Sequence, residues 1–234
     1  MSHPQQREFV QSIKNHFPAF FAGQRVLEIG SLEIKDKNNG AVRGFFSGCR
    51  YTGLDLGEGP GVDVVGQGQD YDAPSSSLDV VISCEVMEHN PYWKETFENM
   101  IRLCRPGGLV IMTCACVGRP EHGTTRTNKA QAPLIPWEYY RNLTAKDFVS
   151  AVPTKELFSE YRFFENFDFC DLYFAGFKVG RPAPANAKRA LFSLRAHYYT
   201  ANLRRQAPLR RRATIAAFGE ARYFAGPIRP WPFR

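Results

Sequence analysis

The sequence predicts an α/β fold: a doubly wound, mostly parallel sheet with an antiparallel edge pair, followed by a basic C-terminal extension. Three observations predict it. Short apolar runs at 25–30, 50–56, 78–84 and 109–114 alternate with helical patterns or long connections, the rhythm of a parallel sheet. The run at 78–84 (LDVVISC) lacks polar alternation, as in a strand covered on both faces. Late in the chain, two aromatic-rich segments at 162–170 and 171–179 follow each other too closely for a crossover and form the antiparallel pair.

The elements follow in order. Phe9, Val10, Ile13 and Phe17 recur at helical spacing over 7–17, predicting an amphipathic helix that Gly23 and Gln24 end. Residues 25–30 (RVLEIG) are a strand running into a turn, 50–56 (RYTGLDL) a second strand, 61–65 (GVDVV) a short third and 78–84 a fourth. Asn90 as N-cap and Pro91 at the first helical position open the next helix. Trp93, Phe97, Met100, Ile101 and Cys104 form its buried face, with Glu98 and Arg102 paired outside. The stretch Arg105-Pro106-Gly107-Gly108 stops it before a fifth strand at 109–114. Thr144 caps a short helix through Val149, and 187–203 is compatible with an amphipathic helix carrying Leu191, Leu194, Tyr198 and Tyr199.

The 234 residues suit one large domain with an appendage, divided here as 1–180 and 181–234. The net charge of +7 is uneven: from Arg181 onward twelve Lys/Arg face one acid, whereas the first 180 residues hold 18 basic and 22 acidic groups. Cys49, Cys84, Cys104, Cys114, Cys116 and Cys170 sit mostly in apolar runs. Cys114 and Cys116 form a lone C-x-C with no second pair at zinc-finger spacing, so the cysteines read as buried thiols. No run of eighteen apolar residues predicts a membrane span, and the polar start has no signal-peptide character, which makes the cytoplasm the default location.

In such a sheet, ligands bind beyond the carboxyl ends of the strands where strand order reverses. Gly30 ends the first strand, Asp55 the second and Cys84-Glu85 the fourth. VLEIGS, YTGLDLGEGPGVDVV, LDVVISCEVMEH and RLCRPGGLVIMT, in this order over about half the chain, resemble the successive motifs of class I S-adenosylmethionine-dependent methyltransferases, which have a Rossmann-like fold. The resemblance implies S-adenosylmethionine as cofactor. Glu28, Gly30 and Ser31 would surround its methionine end, Asp55 hold the ribose diol, and Glu85 with its neighbouring backbone, that of Cys84, flank the sulfonium. Leu56 would pack on the adenine, a position equally consistent with core packing. Gln67, or backbone near Gly68, would take the adenine amino group. The first loop departs from the common glycine-rich pattern, running LEIKDKNNGAVR, with Asn39-Gly40 as its late turn and Arg43 bracing it. It offers no G-x-G-x-x-G for a pyrophosphate, against a nicotinamide cofactor.

For the acceptor, His89 and His122 are the histidines near the cofactor's mouth and the candidate bases. His122 lies beside Arg119, Glu121, Thr124, Thr125 and Arg126, a donor-rich loop that suits a hydroxylated small molecule or glycan, or else is simply solvated. Tyr139, Tyr140 and Asn142 would wall the same pocket. Glu85, Glu88 and His89 (E-x-x-E-H) resemble the metal motif of plant small-RNA and ubiquinone-pathway O-methyltransferases, with His122 as a conceivable fourth ligand, but similar motifs occur without metal, so the expectation is no metal ligand. The leading reading is an O-methyltransferase acting on a small molecule or glycan. The alternatives are a metal-assisted RNA methyltransferase using Glu85, Glu88, His89 and the basic tail, or a non-catalytic cofactor-binding module. The tail itself would bind nucleic acid or an anionic membrane surface, dock on the acidic core of its own domain or of a twin subunit, or simply be solvated.

Overall fold

The computed structural model describes residues 3–34 and 40–204, of which 199–204 by secondary structure alone. One seven-stranded sheet organises them in the order β3-β2-β1-β4-β5-β7-β6. Its strands are β1 (Arg25–Ile29), β2 (Arg50–Asp55), β3 (Val64–Val65), β4 (Leu78–Cys84), β5 (Cys104–Ala115), β6 (Phe158–Asn166) and β7 (Asp171–Lys178). The first five are parallel, and β7 runs antiparallel to both β5 and β6. The doubly wound sheet and its antiparallel edge pair thus stand as the sequence predicts. The order reverses between β1 and β4, and their carboxyl ends open the crevice there.

Two cores cover the sheet. On one face, Phe9, Val10 and Ile13 of α1 (Pro4–His16) meet Leu191 and Leu194 of α5 (Ala187–Arg204) over Val80, Ile82 and Cys84. On the other, Phe97 and Met100 of α2 (Trp93–Leu103) and Phe148 of α3 (Ala145–Ala151), which the one-turn α4 (Thr154–Leu157) follows, pack over Leu27, Val81 and Val110. Burying each of these large side chains contributes about 1.5–3 kcal/mol. At the opposite end of the sheet, the Asp79 carboxylate accepts from Arg25 Nε at 2.9 Å and Arg105 Nε at 2.5 Å, tying the starts of β1, β4 and β5. Burial would raise its pKa, but the two guanidiniums outweigh that and bring it down to about 2.

Several local expectations shift. The helix after β4 starts at Trp93, not at Pro91: the Asn90 side chain accepts from Tyr92 N–H at 2.8 Å, making a turn, and donates to Thr96 Oγ1 at 2.8 Å. Glu98 pairs with Lys94, because Arg102 turns inward to the carbonyls of Ala73 and Tyr71. Arg105-Pro106-Gly107-Gly108 belongs to β5 itself, entering the sheet through an irregularity opposite Leu78 and Val80. The third strand shrinks to two exposed edge residues, and β6 starts at Phe158, leaving 167–170 as the turn into β7. Thr144 does cap α3, within a reciprocal capping box with Asp147. Asn39, Tyr199's side chain and the arginine-rich stretch beyond Arg204 lie outside the described residues. All six cysteines are free thiols, five of them buried.

Candidate active site

A cleft of about 710 Å³ opens over the tips of β1, β2 and β4. Gly30, Asp55, Leu56, Gly68, Glu85 and His89 all line it. Each arrives there for a local reason. Gly30 has φ +86°, and a Cβ on it would stand 2.1 Å from Val86 Cγ2, so only glycine lets β1 turn beneath the crossing chain. Asp55 is the last residue of β2, and its carboxylate is aimed by main-chain donors: Leu32 N–H donates to Oδ2 and Leu56 N–H to Oδ1, both at 2.8 Å. Glu85 leaves β4 with φ +57°, a costly conformation for a non-glycine residue and of a kind that clusters at functional sites. Thr113 Oγ1 donates to its Oε1 at 3.0 Å.

The other expected cofactor residues do not line the cleft. Glu28 lies buried behind it, accepting from Tyr51 OH at 2.8 Å. Burial, only partly offset by that hydrogen bond, lifts its carboxyl to about 7. Ser31 is buried beside Gly53, with no hydrogen-bond partner for its hydroxyl among the described residues. Cys84 points into the α1/α5 core, where burial pushes its thiol up to about 12. Gln67 accepts from Gln69 Nε2 at 2.7 Å, and Gln69 lines the cleft instead. Arg43, expected to brace the first loop, pairs with Asp63 and lies 4.7 Å from the centroid of the Tyr51 ring.

Beside the cleft, the rings of His89, His122 and Tyr140 form a triangle with centroid separations of 4.8, 5.0 and 5.3 Å. His122 Nδ1 lies 3.0 Å from the Pro120 carbonyl, so it carries the proton and leaves the Nε2 lone pair available. Burial and the neighbouring His122 lower His89 to about 3, so its imidazole is neutral. Glu88 is fully buried, which together with the nearby Glu85 raises its carboxyl well above the ordinary range, and among the described residues neither of its oxygens has a hydrogen-bond partner; Glu85 Oε2 and His89 Nδ1 share that condition. One ligating atom from each of Glu88, His89 and His122 falls within 4.8 Å of the others. The geometry therefore substitutes His122 for Glu85 in the E-x-x-E-H grouping.

The donors of the 117–127 loop are largely spent on each other. Thr124 and Arg126 both bond Glu121 at 2.6 Å, and Thr125 N–H donates to Glu138. Arg119 reaches inward to Asp171 at 3.2 Å, a carboxylate that also accepts from Gln6 and Tyr173. Sequence reasoning missed the outer wall of the cleft entirely. Residues 131–137 (QAPLIPW) place Ala132, Pro133, Leu134, Ile135 and Trp137 on it. Their only signal was an apolar, proline-flanked stretch inside a polar loop.

A parallel sheet whose strand order reverses between β1 and β4, an antiparallel β7 and an acid at the β2 tip define a Rossmann-like methyltransferase fold. Residues 1–161 match the family described as methyltransferase domain, and the chain belongs to that family. Among solved structures, it is similar to Haemonchus contortus phosphoethanolamine N-methyltransferase 2 in complex with phosphomonomethylethanolamine and S-adenosylhomocysteine. The identity is 16%, with 75% of this chain and 53% of that one covered and a TM-score of 0.54. The same enzyme with S-adenosyl-L-methionine gives 17% identity, 75% and 53% coverage and a TM-score of 0.53. Burkholderia thailandensis 1,6-didemethyltoxoflavin-N1-methyltransferase gives 15%, 76% and 92%, with a TM-score of 0.46. The chain spans about half the length of the Haemonchus enzyme. No curated protein matches it in sequence. No helix among the described residues is long and apolar enough to cross a membrane.

Proposed function

We propose that the protein transfers a methyl group from S-adenosylmethionine to an oxygen of a small-molecule or glycan acceptor. The observation that carries this is Asp55. Its carboxylate faces the cleft from the tip of β2, already oriented by two backbone N–H groups and with lone pairs left for a ribose diol. The bound cofactor supplies an activated methyl on a sulfonium. What remains for the protein is positioning. Gly30 admits the ligand close to the main chain, Glu85 brings a negative charge to the β4 tip, and His122 Nε2 accepts the hydroxyl proton as the acceptor oxygen bonds to the methyl carbon and the carbon–sulfur bond breaks. Calorimetry with S-adenosylmethionine and S-adenosylhomocysteine tests the cofactor. His122→Ala tests the base: cofactor affinity is expected to stay within about twofold while turnover falls by roughly 10²-fold or more. Normal turnover in His122→Ala removes the base. Cofactor binding without turnover across hydroxylated acceptors would instead support a non-catalytic binding module.

One observation favours a second reading of the acceptor side. A fully buried carboxyl without a hydrogen-bond partner among the described residues is costly, and Glu88 has an oxygen within 4.8 Å of ring nitrogens of His89 and His122. Glu88, His89 and His122 have the chemistry to hold a divalent cation, which would supply Lewis-acid polarisation of an acceptor hydroxyl. His122 would then be a ligand rather than the base. Thermal shift with magnesium, manganese or zinc against chelator, repeated on Glu88→Gln, separates the two. A cation-dependent shift abolished by Glu88→Gln supports the ion; identical melting throughout rejects it. An RNA acceptor is tested by affinity for RNA that falls steeply with salt.

A further inference from the structure

We infer that residues 131–137 form a strap that supplies the second wall of the cofactor slot and must lift each time product is exchanged for fresh cofactor, an inference that rests on the cleft being the S-adenosylmethionine site.

The slot has two unlike walls. The inner wall is made of the strand tips of the sheet and the loops that leave them. The outer wall is the segment from Gln131 to Trp137, with Leu134 and Ile135 half-buried against the cleft. Leu134 crosses the turn after β2 so closely that a Cβ on Gly57 would stand 3.0 Å from its Cδ2. That places Leu134 one residue beyond Leu56 and opposite the Asp55 carboxylate, where the nucleoside of the cofactor has to lie. An apolar side chain on each side suits the two faces of a planar base, and the ribose stays at the polar end.

Among the described residues the strap is tied to the rest of the protein at few points. Its main-chain hydrogen bonds close on the segment itself: Gln131 N–H to Asn128 C=O, Ala132 N–H to Lys129 C=O and Ile135 N–H to Ala132 C=O. Lys129 Nζ donates to the Ile135 carbonyl at 2.5 Å, again within the segment. Pro133 and Pro136 restrict the backbone, so the segment moves as a unit. The latch is Trp137. Its indole N–H donates to the main-chain carbonyl of His89, and its ring meets Tyr92 edge-on at 6.1 Å. Among the described residues, a segment bonded mainly to its own neighbours and latched at Trp137 opens at lower cost than the sheet below it. Occupancy of the slot holds it shut by burying Leu134 and Ile135. The latch ends on the residue whose ring adjoins His122, so closure over the cofactor also fixes the main chain of the acceptor-side histidine.

Leu134→Ala and Trp137→Phe test this in the full-length protein, the second keeping the ring and losing only the N–H. Dissociation of radiolabelled S-adenosylmethionine is followed after a chase of unlabelled S-adenosylhomocysteine. Removing the Leu134 side chain from the apolar wall should speed dissociation about tenfold, and losing the latch hydrogen bond about fivefold, with association little changed. Tryptic cleavage after Lys129 should slow when S-adenosylhomocysteine is present, in wild type more than in either variant. If wild type retains the cofactor and both variants release it at the wild-type rate, the strap is refuted while the cofactor reading stands. If wild type does not retain it, the cofactor reading fails first. Should Leu134→Ala not fold, Trp137→Phe decides alone.

Discussion

Substituting Asp55 with alanine removes both acceptor atoms from the β2 tip while leaving the cleft's apolar lining intact. In the unliganded protein the two oxygens take N–H groups from Leu32 and Leu56, each at 2.8 Å. The diol of a bound nucleoside adds two hydrogen bonds to a charged acceptor, worth about 1.5–3 kcal/mol apiece. Allowing for water that enters the space, the loss is roughly 3–5 kcal/mol, or two to four orders of magnitude in Kd. Asparagine is not a mild control here. Its amide nitrogen must face one of the two backbone N–H donors, so it forfeits an aiming contact as well as charge. Calorimetric titration with S-adenosylhomocysteine measures both variants, and thermal melting without ligand confirms that they fold. Binding of Asp55→Ala within threefold of wild type would refute the ribose assignment and the orientation of the cofactor built on it.

Three further outcomes follow from the geometry. Gly30→Ala forces a Cβ onto Val86 in a left-handed backbone conformation, and urea denaturation should show a loss of about 2 kcal/mol or more; a value near wild type would mean the β1 turn relaxes freely. Glu28 has a folded pKa of about 7 against 4.5 unfolded, so the folded state binds the extra proton. Stability should fall as pH rises from 4.5 to 7 and then level off, and Glu28→Gln should flatten that slope and gain up to about 3 kcal/mol at pH 8; parallel pH profiles would contradict the burial cause. Asp79 has the opposite sign: its stabilisation is present above 3.8 and lost as pH falls through about 2. Asp79→Asn should cost about 1–2 kcal/mol at pH 7 and much less at pH 2, read from denaturant midpoints.

The fold and the cleft floor were legible in the sequence because the signals are local. A strand buried on both faces must be a short continuous apolar run, and β4 spans Leu78–Cys84 as its composition implies. The ends of the first two apolar runs fall at Gly30 and Asp55, and both residues line the cleft. The same double coverage hid the direction of Cys84. With both faces apolar, period-two alternation has no visible phase, and only the packing of α1 and α5 on one side and α2 on the other turns that thiol away from the cleft.

Everything decided by distant segments had to wait for the tertiary structure. Trp137 latches to His89 across 48 residues, and Arg119 turns inward to Asp171 across 52, which takes a donor that the loop's composition offers to an acceptor. Glu88 becomes a buried carboxylate facing His122 because the short turn after β4 rotates it beneath the chain arriving at Arg141, whose N–H bonds the Glu88 carbonyl at 2.8 Å. Backbone propensity and hydrophobic period act within a few residues and determine strands, caps and tips. Which side chains share a chamber depends on loops meeting across the sheet, and no local pattern encodes that meeting.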